Sequence, residues 1–176
     1  MADIDDLARA EAAPLQVRPT PVDLAVAIPE IAMALDTPRR DRSARIEVVV
    51  APDTVAWADA GHLGRALRNV VANAIAHSPV GGVISVSAGR EGHVVRIRVT
   101  DQGPGIAPDD VAHVFERFYR ADTSRANDPV TGRATGMGLG LTIARELLAA
   151  NGGRIGVERT GPGGTTFLIE VPAVDG

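Results

Sequence analysis

The chain has 176 residues, enough for one domain with a substantial core and a short appendage. Apolar residues make up 45% of it, yet no apolar run approaches the ~20 residues that cross a bilayer, so a soluble, monomeric domain is expected. A formal charge of −4 offers no basic field for nucleic acid, and the absence of cysteine excludes disulfides, thiolate nucleophiles and cysteine-held zinc. All 18 basic residues are arginine, so neither a Walker-A loop nor the strand lysine of a protein kinase can be built.

The opening MADIDDLARAEAAPLQ has neither a basic start nor an apolar stretch and does not read as a secretory signal. Residues 3–12 predict a short helix, followed by a proline-punctuated connector. Asp23 caps a predicted helix over LAVAIPEIAMAL, with Pro29 as a kink and a stop before Pro38. RIEVVV alternates as a strand, and VAWA is expected to return as its hairpin partner. Asp59 caps the next helix, where Leu63, Ala66, Leu67, Val70, Val71, Ala74 and Ile75 form one buried stripe ending near Ser78-Pro79.

VISVSAGR and HVVRIRVT predict an antiparallel pair turning at Glu91-Gly92, with Val95, Ile97 and Val99 facing the core and Arg96, Arg98 and Thr100 facing out. From 101 to 138 periodicity is lost except around VAHVFERFY, and so long an irregular insertion in a compact domain is usually functional or mobile. A helix over about 138–151 follows, and RIGVER and TTFLIEV form a last hairpin around TGPGG. Hairpins interleaved with three main helices predict an α/β two-layer sandwich, with a mixed, mostly antiparallel sheet of about five strands.

Three stretches carry candidate chemistry. TGMGLGLTIA places Gly136, Gly138 and Gly140 at the mouth of a helix, where unpaired N–H groups and the positive dipole end could seat an anion; a plain loop-to-helix transition is the other reading. DQGPGIAPDD sets Asp101 at a strand end beside Gly103 and Gly105. A carboxylate there can accept from an exocyclic amine while a flat base slides against glycine backbone, or the stretch is an ordinary Asp-Gly turn. In RALRNVVANAIAHSP, Asn69 and Asn73 share one helix face, as two neutral oxygen ligands for Mg²⁺ beside phosphates or as solvated polar residues.

In order along the chain, RNVVANAIAHSP, DQGPGIAPDD, VFERFYRADTSR, TGMGLGLTIA and GGTTF resemble the N, G1, F, G2 and G3 boxes of the sensor histidine kinase catalytic domain, a member of the Bergerat ATPase superfamily. The resemblance runs from about residue 19 to 172 and implies the Bergerat ATP-binding fold. Residues 1–18 then resemble the end of a preceding dimerisation helix with its linker, and 173–176 a tail.

By the same resemblance ATP and Mg²⁺ are the expected ligands. Asp101 would pair with the adenine amine, Gly103 and Gly105 would shape the base pocket, and Asn69 and Asn73 would serve the metal. Arg120 and Arg125 would reach the terminal phosphate; Gly136, Gly138, Leu139 and Gly140 would wrap the phosphates at the edge of a lid over about 115–137. His77 would border the nucleotide, Thr165 or Thr166 would support the pocket floor, with Thr166 taken as the binding residue, and Phe115 and Phe118 would anchor the lid in the core.

Relatives often carry lysine where this chain has Ala76, which removes one phosphate contact. The position of Asn69 is typically glutamate in gyrase-type ATPases and anti-sigma serine kinases, where it serves as a general base. A neutral imidazole already offers a lone pair and needs no such base, so Asn69 implies transfer to histidine. None of His62, His77, His93 and His113 sits in an acceptor motif. The resemblance therefore implies a separate phosphoacceptor domain, a downstream response regulator, and a place on the cytoplasmic side of a membrane receptor. A nucleotide-gated interaction module and an anti-sigma-type serine kinase are the alternatives.

Overall fold

The computed structural model describes residues 15–119 and 138–174. The first strand, β1 (Thr20–Asp23), leads into α1 (Leu24–Ala34), whose N-cap Asp23 accepts from the Ala25 amide at 2.9 Å. Pro29 lies inside α1, which stops before Pro38 as expected; a separate short helix, α2 (Asp36–Asp41), then holds that proline in its first turn. A missing N–H costs nothing there, because first-turn amides have no helical acceptor.

Strands β2 (Arg45–Val50) and β3 (Val55–Ala58) do not form the expected hairpin. The turn between them, with Asp53 at φ 54° and the Thr54 hydroxyl donating to the Ala51 carbonyl at 2.6 Å, carries the chain away. β3 pairs antiparallel with β1, Thr20 opposite Ala58 and Asp23 opposite Val55. β2 pairs parallel with β4 (Val83–Glu91), which sets Ile46 against Ile84 and Val48 against Val86. Parallel neighbours require a crossover, and β3 together with α3 (Ala60–His77) supplies it.

The β4–β5 hairpin turns at Gly92, φ 64°, into β5 (Val94–Thr100). After the short α4 (Pro108–Val111), the chain resumes at α5 (Gly140–Ala150) and closes with β6 (Arg154–Gly161) and β7 (Gly164–Pro172). The main sheet has five strands in the order β2-β4-β5-β7-β6, with one parallel and three antiparallel pairs. Residues 173 and 174 stay attached: the Ala173 amide donates to the His93 carbonyl at 2.9 Å, and Ala173 is buried.

One face of the sheet presents Ile84, Val86, Val95, Ile97, Val99, Phe167, Ile169 and Val171 to α1, α3 and α5, which answer with Ile28, Leu63, Leu67, Val70, Ile143 and Leu147. This is the expected two-layer sandwich, with β1–β3 as an added ribbon. The opposite face is polar. Glu170 receives Arg96 at 2.8 Å and Arg154 as well, and Arg98 meets Glu158 at 2.9 Å, so charges alternate across the strands on the face that no helix among the described residues covers.

Candidate nucleotide site

Asp101 follows β5 directly and is only 3% exposed. Its Oδ1 accepts from the Gly103 amide at 2.8 Å and the Thr165 amide at 3.1 Å. Neither bond uses Oδ2. No fully enclosed side-chain oxygen among the described residues lacks a partner. Burial pushes the carboxyl above its ordinary value; the two backbone amides and nearby His77 pull the other way.

The glycines beside it are required by space. A Cβ on Gly103 would lie 2.6 Å from the His77 carbonyl oxygen, and one on Gly105, at φ 84°, would lie 2.3 Å from the Gly161 carbonyl oxygen. This loop is thus wedged between the end of α3 and the tip of the β6–β7 hairpin.

On α3 the residues Asn69, Asn73 and His77 follow one another at helical i, i+4 spacing. Asn69 and Asn73 are half-buried and His77 is exposed. At 1.5 Å per residue the row is about 12 Å long. One end touches the Asp101 loop through His77; at the other, the Cβ of Asn69 stands 3.9 Å from where a Cβ of Gly140 would be. Gly140 opens α5, whose N-cap position, Leu139, makes no side-chain capping bond. The first amides of α5 thus lie beside Asn69, at a helix start that no N-cap side chain among the described residues closes. Gly138 precedes them at φ 70°.

The structure brings Asn69, Asn73, His77, Asp101, Gly103, Gly105, Gly138, Leu139 and Gly140 around one margin of α3. The Leu139 side chain is buried in the core, so only its backbone can face a ligand. Arg120, Arg125, Gly136 and most of the lid span lie outside the described residues. Thr166 and Thr165 point to opposite faces of β7. The Thr166 hydroxyl bonds that of Thr100 at 3.0 Å, whereas it is Thr165 whose amide reaches Asp101.

Phe115 is anchored as expected, at 9% exposure and edge-on to Phe167 with ring centroids 6.2 Å apart. Phe118 is not: it is 65% exposed with left-handed backbone, φ 61°. Sequence reasoning did not single out Gly164, whose Cβ would stand 1.9 Å from the Asp101 carbonyl oxygen, or Thr160, which receives the Ile106 amide at 2.7 Å. The first is marked in sequence by the run GPGGTT; the second carries no local signal.

Among the described residues no group of three or more histidine or acidic side chains stands ready for a metal. Two carboxamide oxygens without a carboxylate suit a hard cation that arrives already held by phosphate oxygens and keeps its waters.

A buried carboxylate thus stands near one end of α3 and the N-terminus of α5 near the other. The chain belongs to the family described as histidine kinase-, DNA gyrase B-, and HSP90-like ATPase, whose model matches residues 58–175. It is 38% identical over 168 residues to the signal transduction histidine-protein kinase/phosphatase MprB of Mycolicibacterium smegmatis, covering 93% of this chain and 31% of that protein.

The solved mycobacterial sensor histidine kinase MprB superposes with a TM-score of 0.70 at 34% identity, over 89% of this chain and 98% of that one. Full-length ShkA in complex with AMPPNP gives 0.83 at 31% identity, over 99% of this chain and 35% of that one. The domain is therefore of the sensor histidine kinase catalytic type. It spans about a third or less of the length of the curated relatives it matches.

Proposed function

We propose that this domain binds ATP with Mg²⁺ and donates the γ-phosphoryl group to a histidine on a dimerisation domain outside this chain. The observation that carries the proposal is the row Asn69–Asn73–His77, which links the N-terminus of α5 to a buried carboxylate and suits a nucleotide lying along the helix with phosphates and base at its two ends. Asp101 Oδ2 accepts from the adenine amine. Gly103 and Gly105 let the ring approach backbone, and the amides at Gly138–Gly140 meet the phosphates.

The oxygens of Asn69 and Asn73 would hold Mg²⁺, whose chemistry is the neutralisation of phosphate charge. Arg120 and Arg125 supply fixed positive charge at the terminal phosphate. In the transfer, a bond forms between an acceptor imidazole nitrogen and the γ-phosphorus, the bridging P–O bond breaks, and ADP leaves with the electron pair. The chain contributes position and electrostatics. Asn69 cannot take a proton, which favours imidazole over water or serine as acceptor. A response regulator downstream and a receptor on the membrane belong to the same proposal.

A second reading, a nucleotide-gated module that regulates a partner without transfer, is favoured by Ala76, which puts a methyl where relatives carry a charged phosphate contact. Incubation with γ-labelled ATP, Mg²⁺ and the acceptor domain in trans separates the two. Acid-labile, alkali-stable label on the acceptor is expected; label that stays on nucleotide despite tight binding assigns the module.

A further inference from the structure

The wall that holds the base is a loop, and loops keep their place only if something fastens them. Residues 103–106 make few fastenings. Among the described residues the Gly103 amide bonds back to Asp101 within the same loop, and the hydrogen bond that leaves it for another element runs from the Ile106 amide to the Thr160 hydroxyl, 2.7 Å. Thr160 stands on β6 just before the hairpin tip, and its hydroxyl is also 3.0 Å from that of Thr165. The amide of Thr165 in turn donates to Asp101 Oδ1.

The result is a closed circuit: Asp101 to Gly103, along the loop to Ile106, across to Thr160, over to Thr165, and back to Asp101. Gly105 pressed against Gly161 shows how closely loop and hairpin tip approach along this line. A hydroxyl suits the junction because it can accept from an amide and share a proton with a second hydroxyl at the same time.

We propose that Thr160 is a positioning residue for base recognition, tying the 103–107 loop to the β6–β7 hairpin and thereby holding Asp101 in place for a purine amine. This rests on the ATP-binding reading above. Without the hydroxyl the loop loses its hydrogen bond to the hairpin and keeps only the packing of Gly105 on Gly161, Thr165 loses its hydroxyl partner, and the carboxylate is held by amides that can drift apart. Affinity that depends on the base then falls, while contacts to the phosphates at the far end of α3 persist.

The test compares wild type, Thr160→Val, Thr160→Ser and Thr160→Ala in the full 176-residue chain, titrated calorimetrically with Mg·ATP and Mg·GTP, with amide exchange followed at Ile106. Thr160→Val is expected to weaken ATP about tenfold, the worth of a lost hydrogen bond at a recognition site. It should leave GTP within about twofold and the melting midpoint within a few degrees, and should speed Ile106 exchange. Serine restores both affinity and protection; alanine repeats the valine result and stands in for it if valine fails to fold. An ATP-to-GTP ratio unchanged in the valine and alanine variants, with wild type binding ATP, overturns the role of Thr160 alone. Wild type that binds no ATP overturns the functional reading and this inference with it.

Discussion

Asp101 and Thr165 are bonded to each other twice: the Asp101 amide donates to the Thr165 carbonyl at 2.9 Å, and the Thr165 amide donates to Asp101 Oδ1 at 3.1 Å. The first is the sheet's last rung between β5 and β7. The second turns that rung into a fixed seat for a buried carboxylate, so the sheet register decides where the acceptor for a base will stand.

That seat has a measurable cost. The folded chain holds the Asp101 proton more tightly than the unfolded chain does, so stability falls as pH rises from the ordinary value of 3.8 through the higher folded one, and stays lowered above it. Asp101→Asn keeps an oxygen for the Gly103 and Thr165 amides and removes the charge. Its melting midpoint at pH 7 should exceed wild type by about 2–5 °C, with the gap closing below pH 4. ATP affinity should fall about 10–100-fold. A variant equal to wild type in both melting and binding would remove Asp101 from the base pocket.

Gly105 and Gly156 make a matched pair for mutation. Gly105→Ala meets left-handed backbone and the Gly161 carbonyl, and should cost about 2–3 kcal/mol in urea denaturation. Gly156→Ala, on the edge strand β6 with nothing within 4 Å of the new methyl, should be neutral or stabilising by up to about 1 kcal/mol.

Asn73 is half-buried on α3 and is expected to serve ligand more than fold. Asn73→Ala should change unfolding free energy by less than about 1 kcal/mol. The same variant should abolish Mg²⁺-dependent ATP binding in calorimetry, and retained metal-dependent heat would take Asn73 out of the site.

Glu170 joins Arg154 and Arg96 on the open face of the sheet, and those guanidinium groups hold its carboxyl below the ordinary 4.5. The stabilisation is present above that value and is lost as pH falls through the lower folded one. Glu170→Gln should melt below wild type at pH 7, and the difference should shrink as pH falls below 4.5 and in high salt. A constant difference across that range would show that packing, not charge, sets the effect.

The parts of this protein settled by neighbouring residues were legible in its sequence. The β4–β5 and β6–β7 hairpins, the α3 stripe from Leu63 to Ile75, and the Asn69–Asn73 face follow from periods of two and 3.6 and from caps such as Asp59, whose Oδ1 takes the His62 amide at 3.0 Å. The glycine and carboxylate stretches could be recognised as a set because their order along the chain is itself local information.

What required the tertiary structure was every choice between partners distant in sequence. RIEVVV could pair with VAWA or with a strand beyond the next helix, and the parallel pairing with β4 prevails, matching β-branched residues over the core. GGTTF offers two threonines, and only the register of β7 against β5 sets Thr165 toward Asp101 and Thr166 toward Thr100. Phe118 has the same aromatic character as Phe115, yet its backbone leaves it in solvent. The tie from Ile106 to Thr160 crosses 54 positions and leaves no trace in composition or period, because a single hydrogen bond between a loop and a strand is specified by where the sheet brings them.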